Sequence, residues 1–187
     1  FFTQFKYTGI DQSNIHTAVS NWLSGLSSYG HISSWDTSTV TDMNGLFADA
    51  TTFNDDIGNW DTSTVTDMSD IFNGAIIFNK NLSGWSVANV TDMSGMFSNA
   101  SAFNQDITNW VLKTAPPTLT NMFNGATGMS SVWDTHPSFN NGSPGVTFFS
   151  DPIDITTTTI YDAVDLWLIN KNIAQSAYGY ISSWNTS

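Results

Sequence analysis

Cysteine, glutamate and arginine are all missing from this 187-residue sequence, and lysine occurs only four times. Without cysteine there is no disulfide framework and no thiol nucleophile, and the redox compartment stays open. Four cations against sixteen aspartates give a net charge of −12. That balance excludes nucleic acid as a partner, because phosphate contacts need Lys and Arg. No apolar run approaches the roughly 18 residues that span a bilayer, so no direct membrane insertion is expected of this segment. The first residue is Phe1 and no basic-then-apolar leader opens the chain, which points to a processed protein or a piece of a longer one. What abounds instead is short polar side chains: 24 Thr, 24 Ser and 19 Asn. Such residues bond nearby backbone and favour turns over long helices.

The dominant feature is a repeat. Trp35, Trp60, Trp85 and Trp110 stand 25 residues apart, and their surroundings recur. Apolar residues fall into columns at this period: Ile32/Ile57/Leu82/Ile107, Val40/Val65/Val90, Met43/Met68/Met93/Leu119, Phe47/Phe72/Phe97/Phe123, Ala50/Ala75/Ala100/Ala126 and Phe53/Phe78/Phe103/Met129. One residue type at a fixed period means stacked coils, each burying its apolar face against its neighbours. The fourth coil departs from the pattern, since Lys113-Thr114-Ala115-Pro116-Pro117 adds one residue. Two prolines remove two backbone donors, so pairing is expected to stop there.

A longer repeat overlies the first. The stretch from Ile15 to Leu23 aligns with Ile160 to Leu168, and the Tyr-Gly-x-Ile-Ser-Ser-Trp that follows each also aligns. Phe1-Phe2 matches Phe148-Phe149 at an offset of 147. The expected organisation is an N-terminal segment and capping helix over 1–30, four coils over 31–131, a closing cap and linker over 132–150, and the start of a next tandem module over 151–187.

Ile15, Ala18, Val19, Trp22 and Leu23 follow the i, i+3, i+4, i+7, i+8 spacing of an amphipathic helix, with Ser13 or Asn14 as N-cap. Its apolar face is expected to lie over the open end of the first coil. Within a coil, Met68, Ile71, Phe72, Ala75 and Phe78 keep helical spacing, as do Met43 to Phe53 and Met93 to Phe103. Thr64-Val65-Thr66 is β-branched and alternates, so it is the expected strand. The expected fold is an α/β repeat solenoid of leucine-rich-repeat-like coils of about 25 residues, each a short strand plus a short helix.

The pattern Trp-Asp-Thr-Ser-x-Val-Thr-Asp-Met-Ser-x-Met-Phe-x-x-Ala-x-x-Phe-Asn, in four copies over residues 31 to about 129, resembles the repeat of BspA-like leucine-rich-repeat surface proteins. The resemblance implies an extracellular or cell-surface location and an adhesive or structural role, with no catalytic residues to carry over.

The residues themselves offer few sites. His16, His31 and His136 form no metal-ligand spacing, and no phosphate loop or Gly-x-Ser-x-Gly elbow is present, so an enzyme is not expected. Asp42, Asp67 and Asp92 would stack in register, either satisfied by backbone N–H donors or holding Ca²⁺. The shorter Asp36/Asp61 column ends at Ser86. Asn54, Asn79 and Asn104 resemble an asparagine ladder, a structural role. Five N-glycosylation sequons occur, at Asn81, Asn89, Asn99, Asn141 and Asn185, which the Asn, Ser and Thr content alone would produce. Of these, Asn89 and Asn99 are expected to face solvent. Thr39, Thr41, Thr64, Thr66 and Thr91 would project as a small Thr array, diluted by Asn89, that forms a candidate ligand face.

The expectation for function is a structural or adhesive module of a tandem surface array, with neighbouring modules of the same or identical chains as partners. Two alternatives stand beside it. One is an adhesin module whose strand face binds a glycan or a host or cell-surface protein, and the other is a calcium-stabilised surface array.

Overall fold

The computed structural model describes residues 9–26, 28–129, 139–140 and 142–149. Trp133, His136, Asn141, Asn185 and the expected second module over 151–187 lie outside the described residues. Helix α1, Ile15–Leu23, buries Ile15, Ala18 and Val19. Trp22 is half-buried and Leu23 is exposed, so the stripe that faces inward is narrower than the spacing suggests. Asn14 is the N-cap residue, yet its side chain caps nothing in the helix. It turns backward, accepting from the Asp11 amide at 3.0 Å and donating to the Gly9 carbonyl at 2.8 Å. A 3₁₀ turn, Ile32–Ser34, then leads into the first Trp.

The repeated columns are the core. Trp35, Trp60, Trp85 and Trp110 are all buried, and so are the Phe47/Phe72/Phe97/Phe123 and Phe53/Phe78/Phe103 columns. Half-buried Ala50 and Leu119 are the exceptions at the two ends of their columns. Phe47, Phe72, Phe97 and Phe123 stack at a ring spacing of 5.5 Å, within 10° of parallel. Inside each of the first three repeats the second Phe lies against the first, as in Phe72 and Phe78 at 4.0 Å. Offset stacks of this kind add about 0.5–1.5 kcal/mol each beyond the burial of the rings. A buried indole N–H needs an acceptor: Trp35 Nε1 donates to the Gly30 carbonyl at 3.4 Å, ahead of the first repeat, and each later Trp finds its acceptor in the preceding repeat. Trp60 Nε1 donates to the Ile32 carbonyl at 2.9 Å, Trp85 to Ile57 at 3.1 Å, and Trp110 to Leu82 at 3.0 Å.

Backbone hydrogen bonds join repeat to repeat. The Thr66 amide donates to the Thr41 carbonyl and the Thr91 amide to the Thr66 carbonyl, both at 2.8 Å. Parallel bridges pair Asp42 with Asp67, Asp67 with Asp92, and Asp92 with Thr118. Strand pairing thus narrows to single bridges centred one or two residues after the expected Thr64-Val65-Thr66.

After each bridge, where helical spacing runs from Met43, Met68 and Met93, the chain forms overlapping turns and no α-helix. Alternate amides have different partners. Leu46, Ala48 and Ala50 donate to carbonyls three residues back in their own repeat. Gly45, Phe47 and Asp49 donate instead to Ser69, Ile71 and Asn73 of the next repeat, at 3.0, 2.9 and 2.7 Å. An α-helix would spend every amide inside its own repeat. The turns divert half of them to the neighbour while keeping Phe47, Phe72 and Phe97 pointed inward.

Those turns need positive φ at two places per repeat, and the sequence supplies residues that tolerate it. The first column is Gly45, Asp70, Gly95 and Asn121, and the second is Asp49, Gly74, Asn99 and Gly125, all with φ between 55° and 73°. Glycine and Asp or Asn alternate along both columns for a steric reason. Asp49 Oδ1, Asp70 Oδ1 and Asn99 Oδ1 lie 2.5, 2.2 and 2.5 Å from where a Cβ would stand on Gly74, Gly95 and Gly125. Each Asp or Asn side chain lies over the next repeat's glycine.

The prolines of the fourth repeat do not stop the pairing. At an offset of 26, Pro117 takes the place of Thr91 and has no amide to give. The Thr118 amide makes the bond to the Thr91 carbonyl instead, at 3.0 Å, and the Thr118 carbonyl accepts from Met93. Beyond this repeat, strands β1 (Phe139–Asn140) and β2 (Ser143–Pro144) form an antiparallel hairpin, followed by a 3₁₀ turn over Val146–Phe149.

Candidate functional site

Asx turns account for most of the aspartates among the described residues. Asp42, Asp67 and Asp92 come together along the bridge column, but the Oδ1 of each accepts the amide two residues on, from Asn44, Ser69 and Ser94 at 2.8–2.9 Å. Asp36 and Asp61 do the same with Ser38 and Ser63. A further column, Asp56, Asn81 and Asp106, repeats the motif with Gly58, Ser83 and Thr108. Among the described residues no group of three His, Asp or Glu side chains is arranged to hold a metal ion.

Two of the histidines have structural duties. His31 occupies the Asp56/Asn81/Asp106 column, and its Nδ1 accepts the Ser33 amide at 3.3 Å as the carboxylates do theirs. His16 Nε2 donates to the Asn44 carbonyl at 3.1 Å. In later repeats the corresponding carbonyls, Ser69 and Ser94, receive an amide from the repeat before. His16 therefore stands in for an absent neighbour.

Gln12 does the same at the bridge and was not singled out from the sequence. Its Oε1 accepts the amides of Thr41 and Asp42, both at 2.8 Å, and its Nε2 donates to the Asp42 carbonyl at 3.3 Å. A primary amide is both donor and acceptor, so one side chain imitates the missing peptide group. At the opposite end the Phe123 amide donates to the Gly142 carbonyl and the Asn121 amide to Ser143 Oγ, at 2.6 and 2.8 Å. Gly142 has φ of 82°, and a Cβ there would meet the Asn124 backbone at 2.8 Å.

Thr39, Thr41, Thr64, Thr66 and Thr91 are all exposed. The hydroxyls of Thr66 and Thr91 donate to the Thr41 and Thr66 carbonyls at 3.1 and 3.0 Å, and Thr64 donates to Val40 at 2.8 Å. What the array offers outward is methyl groups and hydroxyl lone pairs. Thr37 and Thr62 are buried, and their hydroxyls bridge to the carbonyls of Asp61 and Ser86. The Asn54/Asn79/Asn104 series links repeats through Asn54 Oδ1 and Asn79 Oδ1, which accept the amides of Asn79 and Asn104. Asn54 is exposed and the other two are half-buried, so this ladder runs on the surface.

The sequon residues Asn81, Asn89 and Asn99 are exposed. Asn89 Nδ2, the atom that would carry a sugar, donates to the Ser63 carbonyl at 2.7 Å. Near Asn81, a shallow polar groove of about 240 Å³ is lined by Asn81, Ser83, Gln105, Asp106 and Asn109. No helix among the described residues is long and apolar enough to cross a membrane.

What the geometry defines is a repeat protein whose polar side chains join one repeat to the next. Residues 14–136 match the family described as "Mycoplasma protein of unknown function, DUF285". The chain belongs to that family. Neither the curated proteins nor the solved structures contain a match to it.

Proposed function

We propose that the chain is a non-catalytic structural or adhesive module of a tandem array at the cell surface, its 25-residue repeats forming a leucine-rich-repeat-like solenoid of the BspA type. In place of the short helix, each coil carries overlapping turns. The observation that carries this reading is the longer repeat of about 147 residues, which makes length scale with module number. The structure supports it through the use made of polar groups. Asp, Thr and Asn side chains with polar atoms to offer a ligand are bonded to their own turn or to the neighbouring repeat. Membership of the family supports a surface role. Electron microscopy of the full-length protein from its native source tests the reading. Rods or filaments with a regular module repeat are expected, and a single module beside a catalytic domain would refute it.

The exposed Thr column favours a second reading, a glycan or protein ligand bound on this face. Thr41→Arg with Thr66→Arg would then abolish binding to a cell-surface extract while leaving the circular dichroism spectrum intact. Unchanged binding by a folded variant would remove that site.

A further inference from the structure

The sequence holds two Phe-Phe pairs, Phe1-Phe2 and Phe148-Phe149. The second pair closes the aromatic columns of the last repeat. Phe149 stacks on Trp110 at 6.3 Å and 4°, in the place a fifth Trp would take, and Phe148 meets Phe123 edge to face at 6.1 Å. Both are buried. The hydrogen-bond ladder of that repeat is closed by other residues, Gly142 and Ser143. Rings and ladder are therefore covered by separate parts of the chain.

In the sequence repeat, Phe1-Phe2 corresponds to Phe148-Phe149. It stands 147 residues earlier, and Phe2 precedes Ile15 by 13 residues as Phe149 precedes Ile160 by 11. The pair that finishes one module in space thus begins the next in sequence. We propose that this pair is the coupling element of the array: Phe1-Phe2 fits the Trp110 and Phe123 rings at the end of a second copy of the module, joining modules head to tail. This rests on the tandem-module reading above. A pair of adjacent aromatics fits the description, because the Trp column and the first Phe column both end there and each meets one ring of the pair.

In the full chain the site is filled from within, so the wild-type protein is expected to sediment as a monomer. Phe148→Ala with Phe149→Ala empties the site and leaves Gly142 and Ser143 to close the ladder. This variant should self-associate with rising concentration, and adding Phe1→Ala with Phe2→Ala should return it to a monomer. A labelled peptide of residues 1–9 should bind the four-alanine chain, and replacing both of its phenylalanines by alanine should weaken binding by about thirtyfold or more, as truncation of buried aromatic anchors does. Self-association that survives loss of Phe1 and Phe2, or a folded variant that ignores the peptide, overturns the proposal. If the double variant unfolds, Phe148→Leu with Phe149→Leu, which removes both rings and keeps the site apolar, is tested with the same peptide: uptake supports the coupling and no uptake refutes it. Failure here leaves the tandem reading standing, since microscopy of the native protein decides that separately.

Discussion

The middle of the molecule and its two ends solve one problem with different materials. Between Met43 and Phe103, backbone amides of one repeat meet carbonyls of the next, and the rings of one repeat meet identical rings. At the ends no identical neighbour is present. Gln12 and His16 supply side-chain atoms where backbone would be, and Gly142, Ser143, Phe148 and Phe149 close the other face. An open ladder edge is a template for pairing with another chain, so closing it protects against uncontrolled association. Repetition builds the interior, and unique residues stop it.

The largest expected break falls in the interior. Phe72 is flanked by Phe47, Phe97, Phe78 and Trp85. Phe72→Ala should cost about 3–5 kcal/mol in urea unfolding, the usual range for a buried Phe. A loss below about 1 kcal/mol would mean the columns are not tightly packed.

Next comes the alternation of glycine with aspartate. Gly95→Ala puts a Cβ at φ of 62° and against Asp70 Oδ1. The left-handed conformation alone costs about 1–2 kcal/mol, and displacing the carboxylate adds to it. Asp70→Gly in the same chain should remove the second part, so a double-mutant cycle should show non-additivity. Strict additivity would contradict the contact.

At the N-terminal end the effect is smaller because water can replace the lost acceptor. Gln12→Ala should cost about 1 kcal/mol and speed hydrogen exchange at Thr41 and Asp42. The amide of Thr66, held by the Thr41 carbonyl, should not change. Equal acceleration at Thr41 and Thr66 would erase the distinction between end and interior.

The smallest effect concerns Asp11. The Ser13 hydroxyl, then the Ser13 amide, hold its carboxyl below the usual range. A folded pKa below the unfolded one means that its contribution is present above the ordinary carboxylate range and is lost as pH falls through the lowered value. Ser13→Ala should raise the Asp11 pKa towards its ordinary value in an NMR titration. An unmoved titration would show that the hydroxyl contributes nothing.

Much of the interior is legible in the sequence because repetition amplifies it. The Trp and Phe columns named from the period of 25 are the buried ones. The helical spacing of Met68, Ile71, Phe72, Ala75 and Phe78 misleads, because overlapping turns also return side chains to one face at such intervals. The contrary signal lies in the same letters. Gly, Asp and Asn recur at two sites four residues apart, and a helix cannot hold two left-handed residues per turn. The pairing at Thr118 is hidden because a one-residue shift past Pro117 restores a donor that composition says is lost. Gln12 and Gly142 occur once each in their roles, so no column marks them. At the site level, Asx turns explain Asp42, Asp67 and Asp92, whereas the substitution of His31 for an aspartate shows only when its register is set beside Asp56, Asn81 and Asp106.

The most direct test of the central claim, that each repeat gives half of its turn amides to the next, is NMR detection of scalar couplings across hydrogen bonds. The account predicts couplings from the amide nitrogens of Gly45, Phe47 and Asp49 to the carbonyl carbons of Ser69, Ile71 and Asn73. A coupling from Phe47 to the carbonyl of Met43 would instead mark an α-helix confined to one repeat, and would contradict it.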